Sequence, residues 1–195
     1  MTIPNYITIF RILMIPFFVL FVVYYKLDET KGGGRELFLF AAITCYIVAA
    51  LSDGLDGYIA RKYNQVSRLG TILDPIADKG LELVGIIVLS YKGNDELPHF
   101  PPWFVVLFFA REILILIGYI LLHHFNKVVL VKPHWTGKVS TALLMALVCY
   151  MLLNLKWMSL NILVISTAFF MTVSLLMYLG YAIRELNAGG SGKAS

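Results

Sequence analysis

Four aspartates, at positions 53, 56, 74 and 78, interrupt stretches of the chain that are otherwise apolar. Asp53 and Asp56 are three residues apart and Asp74 and Asp78 are four apart, so each pair lies on one face of a helix. Ionised carboxylates at membrane depth are costly and require a compensating cation. Oxygen ligands without His or Cys favour Mg²⁺ or Mn²⁺. Four carboxylates indicate two such ions, as in two-metal sites that transfer phosphoryl groups.

Small residues and one arginine stand between these carboxylates. Gly57, Ala60 and Gly70 would let a ligand approach the helix backbone closely. Arg61 adds a fork-shaped donor for phosphate oxygens. Small residues also mediate helix packing in membranes, and for Gly54 and Ala60 alone this interpretation stays open. Taken with the carboxylates, the pattern favours a site for divalent cations and a phosphorylated ligand.

The segments that carry these residues have the composition of membrane helices. Of the 195 residues, 59% are apolar and 14% are charged, and the mean hydropathy is +0.78, whereas roughly 25% of the residues in soluble proteins are charged. This composition excludes a water-soluble globule and an intrinsically disordered chain. We predict an all-α integral membrane protein, a bundle of six transmembrane helices. The prediction rests on six apolar runs near the length of about 20 residues that a span requires, at 7–25, 36–59, 69–91, 102–123, 137–155 and 160–183.

The positions of Lys and Arg predict that both termini are cytoplasmic. This orientation places two basic turns in the cytoplasm, one with Arg61, Lys62 and Arg68 and the other with Lys127, Lys132 and Lys138. The hairpin of the second and third helices would then bring both aspartate pairs together at the cytoplasmic boundary of the membrane. Pro75 predicts either a kink in the third helix or a position in its first turn.

The membrane domain is expected to span residues 1–187. Residues 188–195 are rich in Gly, Ser and Lys and are expected to be a flexible tail or a sequence added during cloning. The predicted location is a bacterial cytoplasmic membrane, with membrane lipids as partners and no nucleic acid.

The eight residues Asp53, Asp56, Gly57, Ala60, Arg61, Gly70, Asp74 and Asp78 form the motif D-x-x-D-G-x-x-A-R-x8-G-x3-D-x3-D. This motif resembles the signature of the CDP-alcohol phosphotransferases, six-span membrane enzymes that displace CMP from a CDP-linked lipid with an acceptor hydroxyl. The opening Ile3-Pro4-Asn5, with Thr8, Arg11 and Pro16, resembles phosphatidylglycerophosphate synthases and the eukaryotic type of cardiolipin synthase. Later segments around Trp103, Ala110-Arg111-Glu112 and Gly137-Lys138 resemble the same enzymes.

The resemblance assigns roles to individual residues. It implies that Asp53, Asp56, Asp74 and Asp78 ligate one or two Mg²⁺ or Mn²⁺ ions, and that Asp78 is the general base. CDP would be bound by Gly57, Ala60, Arg61 and Gly70, with Asn5 and Thr8. The acceptor would be bound by Arg111, Lys138 and Arg11. A homodimer is implied by the family alone.

The donor is expected to be CDP-diacylglycerol, but two acceptors remain possible. Glycerol 3-phosphate, which would give phosphatidylglycerophosphate, is favoured by its frequency in the family. Phosphatidylglycerol, which would give cardiolipin, is the alternative. Many phosphatidylglycerophosphate synthases carry a further arginine about two turns after the Arg-Glu pair, where this chain has Tyr119, and Lys132-Pro133 resembles cardiolipin synthases.

Two other classes of protein compete with the enzyme. A small membrane cation transporter would also carry carboxylates, but at different depths along a path rather than at one level. An assembly protein built on small-residue helix contacts would need no carboxylates. Glu82 lies one turn after Asp78 and is open to three interpretations: it extends the acidic stripe, accepts from Arg111 or Lys138, or fixes the helix register.

Overall fold

The structure is a computed structural model that describes residues 3–27, 33–62, 68–92, 97–124, 135–155 and 157–188. Within these ranges the side chains of residues 3–4, 33, 53–62, 68–69, 71–72, 119, 121–124, 182 and 184–188 are not described. The predicted tail lies outside the described residues, except that the helical backbone continues to Ala188.

Six helices account for nearly all of this part of the chain, and it contains no β-strand. They are α1 (Ile3–Leu27), α2 (Gly33–Lys62), α3 (Arg68–Ser90), α4 (Pro102–His124), α5 (Trp135–Leu152) and α6 (Leu160–Ala188). Each coincides with one of the six apolar runs to within a few residues, so the predicted all-α class is confirmed.

Four of the helices contain a stretch that is long and apolar enough to cross a membrane. These stretches are Asn5–Leu27, Gly34–Ser52, Trp135–Leu152 and Leu160–Tyr181. Charge sets α3 apart, since it carries Asp74, Asp78, Lys79 and Glu82 within a single span length. The four apolar helices indicate an integral membrane protein.

Pro75 lies inside α3, about two turns after its start at Arg68. The alternative that Pro75 occupies the first turn of the helix is therefore wrong. The helix begins ahead of the aspartates, and it continues through the proline although this residue has no N–H to donate to the preceding turn.

The chain divides into two compact units. Unit 1 comprises Met1–Phe100 and Met145–Leu155, and unit 2 comprises Pro101–Leu144 and Lys156–Ser195. Unit 1 therefore contains α1, α2, α3 and the second part of α5, whereas unit 2 contains α4, α6 and the first part of α5.

In unit 1, α1 runs parallel to α3 and antiparallel to α2. Its buried residues lie mostly three, four or seven positions apart, which places them along one face of the helix: Asn5, Thr8, Arg11, Phe18, Val22, Tyr25 and Lys26. The ring of Phe18 packs 5.2 Å from that of Tyr46 in α2. Gly85 lets α3 approach α5, because a Cβ at this position would lie 3.3 Å from Val148.

In unit 2, α4 packs against α6 around Gly118 and Tyr178. The Tyr178 hydroxyl donates to the Ile115 carbonyl at 3.3 Å. A Cβ on Gly118 would lie only 2.9 Å from the Tyr178 ring, so a larger residue here would require the ring to shift. These contacts with α6 hold the part of α4 that follows Arg111.

Candidate active site

The first three turns of α1 carry a polar stripe inside an otherwise apolar helix. Asn5, Thr8 and Arg11 are spaced three residues apart and are at most 1% exposed. Buried polar groups need hydrogen-bonding partners, above all in a membrane protein. For Thr8 and Arg11 these partners include two of the four predicted site aspartates, both of them in α3.

Thr8 contacts Asp74. Its hydroxyl donates a 2.7 Å hydrogen bond to Oδ1 of the carboxylate, the usual distance for a hydroxyl donor. Asp74 is half-buried, and its second oxygen, Oδ2, is not part of this bond. The bond therefore orients the carboxylate through Oδ1 alone.

Arg11 forms an ion pair with Asp78. Nη1 of the guanidinium donates to Oδ1 of the carboxylate, and the arginine side chain is fully buried whereas the aspartate side chain is 35% exposed. The positive charge thus lies inside the unit and the negative charge lies at its surface. Arg11 was predicted to bind the acceptor, and the structure places it against the predicted general base.

The other aspartate pair, Asp53 and Asp56, lies in the C-terminal part of α2. The backbone there is helical, but these side chains and those of Gly57, Ala60 and Arg61 are not among the described residues. Gly70 is buried near the start of α3. The meeting of the two aspartate pairs stays a prediction, and the described side chains alone contain no cluster of three metal-ligating residues.

The described half of the site fits a divalent cation. Asp74 and Asp78 supply carboxylate oxygens, the ligands that Mg²⁺ and Mn²⁺ prefer. Both are held by contacts from a neighbouring helix, and such outer contacts commonly orient metal-ligating carboxylates.

Glu82 is 1% exposed, and Nζ of Lys79 donates to its Oε2 at 2.9 Å. The structure thus pairs Glu82 with a lysine of its own helix, a partner missing from the three interpretations offered by the sequence. The spacing of three residues is the signal that could have revealed it.

Unit 2 contains a second buried arginine, Arg111. Its Nη1 donates to Oε1 of Glu112 at 2.8 Å, and its Nη2 donates to the Ser140 hydroxyl at 3.1 Å. Ser140 in turn donates to the Gly137 carbonyl at 2.8 Å. The guanidinium thereby links α4 to the start of α5. Ser140 was missed by sequence reasoning.

The remaining Arg111 nitrogen, Nε, is buried and has no hydrogen-bond partner among the described residues. Lys138, the other residue of α5 predicted to bind the acceptor, is exposed in the first turns of that helix. Unit 2 therefore offers one buried and one exposed cation near the start of α5.

Comparison with known proteins gives a consistent result. The family model for CDP-alcohol phosphatidyltransferase matches residues 1–179. The chain is 36% identical over 154 residues to the protein of Escherichia coli (strain K12) named CDP-diacylglycerol--glycerol-3-phosphate 3-phosphatidyltransferase, covering 77% of this chain and 76% of the relative. Relatives with the same name in Shigella flexneri serotype 5b and Shigella sonnei match with the same identity and coverage.

Proposed function

The chain belongs to the CDP-alcohol phosphatidyltransferase family, and we propose that it transfers a phosphatidyl group from CDP-diacylglycerol to glycerol 3-phosphate. The products are phosphatidylglycerophosphate and CMP. The observation that carries this proposal is the 36% identity, over 154 residues, to relatives named for this reaction. The hydrogen bond from Thr8 to Asp74 and the ion pair of Arg11 with Asp78 support it. These contacts join the opening segment of the chain to the eight-residue acidic motif that begins at Asp53.

Asp53, Asp56, Asp74 and Asp78 would hold one or two Mg²⁺ or Mn²⁺ ions. When bound, these ions supply positive charge that neutralises the pyrophosphate and the departing CMP. Gly57, Ala60 and Gly70 let the CDP moiety approach the helices closely, and Arg61 donates to its phosphates. Asn5 lies at the same end of α1 as Thr8 and contributes to CDP binding.

Asp78 removes the proton from the acceptor hydroxyl. The hydroxyl oxygen forms a bond to the phosphorus that carries diacylglycerol, and the bond from that phosphorus to the bridging oxygen breaks. CMP leaves with the electron pair of the broken bond. The 35% exposure of the Asp78 side chain supports this role, because an acceptor can reach it.

Arg111 and Lys138 bind the phosphate of glycerol 3-phosphate. The buried guanidinium of Arg111, which lies against the neutral hydroxyl of Ser140, supports this assignment. A dianionic phosphate requires a strongly basic pocket, whereas phosphatidylglycerol carries one negative charge. The names of the relatives favour glycerol 3-phosphate.

The protein is proposed to lie in a bacterial cytoplasmic membrane as a six-span homodimer. Both termini and the active site face the cytoplasm, where CDP-linked lipid and glycerol 3-phosphate meet. Residues 1–187 form the transferase domain. The match to residues 1–179 supports this extent.

The test measures CMP release by purified protein from CDP-diacylglycerol in mixed micelles. Glycerol 3-phosphate and phosphatidylglycerol are offered in separate reactions, each with Mg²⁺, with Mn²⁺ or with excess EDTA. CMP release is expected with glycerol 3-phosphate and a divalent cation. Full release in EDTA would contradict the metal dependence, and release only with phosphatidylglycerol would identify a cardiolipin synthase.

A further inference from the structure

The polar stripe of α1 contacts two aspartates of the acidic motif, and each contact comes from a different residue type. We infer that Thr8 and Arg11 are positioning residues, Thr8 fixing Asp74 as a metal ligand and Arg11 fixing Asp78 as the proton acceptor. This inference rests on the proposed function. It gives Arg11 a task other than the predicted binding of the acceptor.

The burial of Arg11 supports a positioning role. A guanidinium with no exposed surface is costly in a membrane protein unless a carboxylate compensates it. Asp78 supplies that charge from the partly exposed side. An acceptor that approaches Asp78 from the exposed side meets the carboxylate first, and Arg11 lies behind it. Arg11 is therefore placed to hold Asp78 rather than to touch the acceptor.

The contact from Thr8 complements that from Arg11. A hydroxyl carries no charge, so it can fix the direction of the Asp74 carboxylate without competing electrostatically with a bound cation. Outer contacts of this kind set the orientation of ligating carboxylates, and their loss lowers metal affinity by about 10–100-fold. Thr8 and Arg11 lie one turn apart on α1, as Asp74 and Asp78 do on α3.

The packing of α1 against α3 does not depend on the contacts of Thr8 and Arg11 alone. At the other end of α1, Nζ of the buried Lys26 donates to the Tyr91 carbonyl just beyond α3, at 2.5 Å. Between the two ends, a Cβ on Gly80 would lie 3.2 Å from Cδ1 of Ile15, so the helices pack closely. Lys26 therefore offers a matched control, because it is a buried cation on the same helix that joins the same pair far from the aspartates.

The first experiment measures Mn²⁺ binding without turnover. Purified protein in detergent is titrated with Mn²⁺, and the unbound ion is followed by electron paramagnetic resonance. Thr8→Val, which removes the hydroxyl at constant volume, is expected to raise the half-saturating Mn²⁺ concentration about tenfold. Thr8→Ser retains the donor and is expected to stay within about threefold of wild type. Equal affinity of Thr8→Val and wild type would overturn the role of Thr8.

The second experiment separates positioning from acceptor binding at Arg11. Arg11→Met is expected to lower kcat at least about 100-fold with little change in the KM for glycerol 3-phosphate, and Arg11→Lys is expected to recover part of kcat because it keeps the charge. A rise in KM at unchanged kcat would instead assign Arg11 to the acceptor and overturn the inference.

Lys26→Met completes both experiments. It is expected to lower the thermal midpoint and to leave the Mn²⁺ affinity and the KM unchanged. If Lys26→Met weakens Mn²⁺ binding as much as Thr8→Val does, the contacts only hold the helices together and the inference fails. If wild-type protein binds Mn²⁺ and turns over but the Thr8 and Arg11 variants match it, the inference fails while the proposed function stands. A wild-type protein that neither binds Mn²⁺ nor releases CMP would overturn both.

Discussion

Each unit contains a buried arginine, and the two positive charges are neutralised in different ways. Arg11 pairs with Asp78, a residue 67 positions away on another helix. Arg111 pairs with its own neighbour Glu112 and uses a second nitrogen to reach Ser140. The first arrangement ties two helices together at a carboxylate of the acidic motif. The second neutralises a cation within its own helix and links α4 to the start of α5.

The difference indicates that the two arginines have different roles. Arg11 pairs with a partly exposed carboxylate, which suits a residue that positions a proton acceptor. Arg111 has one local carboxylate and a neutral hydroxyl, which suits a residue that takes an anionic ligand. Substitutions at the two ion pairs should therefore change different kinetic constants.

The largest effect is expected at Asp78. Asp78→Asn removes the proton acceptor at nearly constant size, so kcat should fall about 1,000-fold, within the range typical of general-base loss. The measurement is CMP release at saturating substrate. Glu36→Gln is the matched control, because Glu36 is an exposed carboxylate in the first turn of α2, and this variant should retain wild-type turnover. Wild-type turnover by Asp78→Asn would exclude the assigned role.

The next effect is expected at Arg111. Arg111→Met removes the buried cation, and the KM for glycerol 3-phosphate should rise about 30-fold, since a charge-assisted contact to phosphate contributes about 2 kcal/mol. Arg111→Lys keeps the charge but not the fork and should lie between this variant and wild type. Initial rates over a range of glycerol 3-phosphate concentrations give the values. A fall in kcat at unchanged KM would show that Arg111, like Arg11, affects turnover rather than acceptor binding.

A smaller effect of opposite sign is expected at Glu112. Glu112→Gln removes the carboxylate that neutralises Arg111 while retaining a hydrogen-bond acceptor. The attraction of Arg111 for a dianion then increases, and the KM for glycerol 3-phosphate should fall about threefold at low salt. Thermal midpoints with and without glycerol 3-phosphate supply a second readout, in which the ligand should stabilise this variant more than wild type. An increased KM would show that Glu112 supports the site.

The smallest effect is expected at Ser140. Ser140→Ala removes one acceptor of an Arg111 hydrogen bond and one donor to the Gly137 carbonyl. The lost contact is expected to contribute about 0.5 kcal/mol, the lower end for a single intramolecular hydrogen bond, so the KM should change about twofold. Parallel kinetics of Ser140→Ala and Arg111→Met will rank the two contacts. A larger loss at Ser140 than at Arg111 would make the hydroxyl, and not the guanidinium, the main determinant.

The helices could be predicted from the sequence, because apolar runs of span length leave little choice of secondary structure. The apolar run at 7–25 corresponds to α1 (Ile3–Leu27), and the run at 102–123 corresponds to α4 (Pro102–His124). The division into two units could not be predicted, since it depends on which helices pack together rather than on the pattern within any one of them.

The contacts of the site were only partly predictable. The motif identifies Asp74 and Asp78, and the pairing of Lys79 with Glu82 follows from a spacing of three residues. The partners Thr8 and Arg11 lie 66 and 67 residues from their aspartates. Pairing over such distances depends on the register between α1 and α3, which Ile15 against Gly80 and Lys26 against Tyr91 help to set. No periodicity within one helix encodes that register.

This chain is proposed to transfer the phosphatidyl group of CDP-diacylglycerol to glycerol 3-phosphate. The most direct test incubates purified protein with labelled glycerol 3-phosphate, CDP-diacylglycerol and Mg²⁺ and counts the label in the lipid extract. Labelled phosphatidylglycerophosphate is expected in equal amount to released CMP, and none is expected when CDP-diacylglycerol is omitted. An unlabelled lipid extract, from protein that releases CMP when phosphatidylglycerol is supplied, would contradict it.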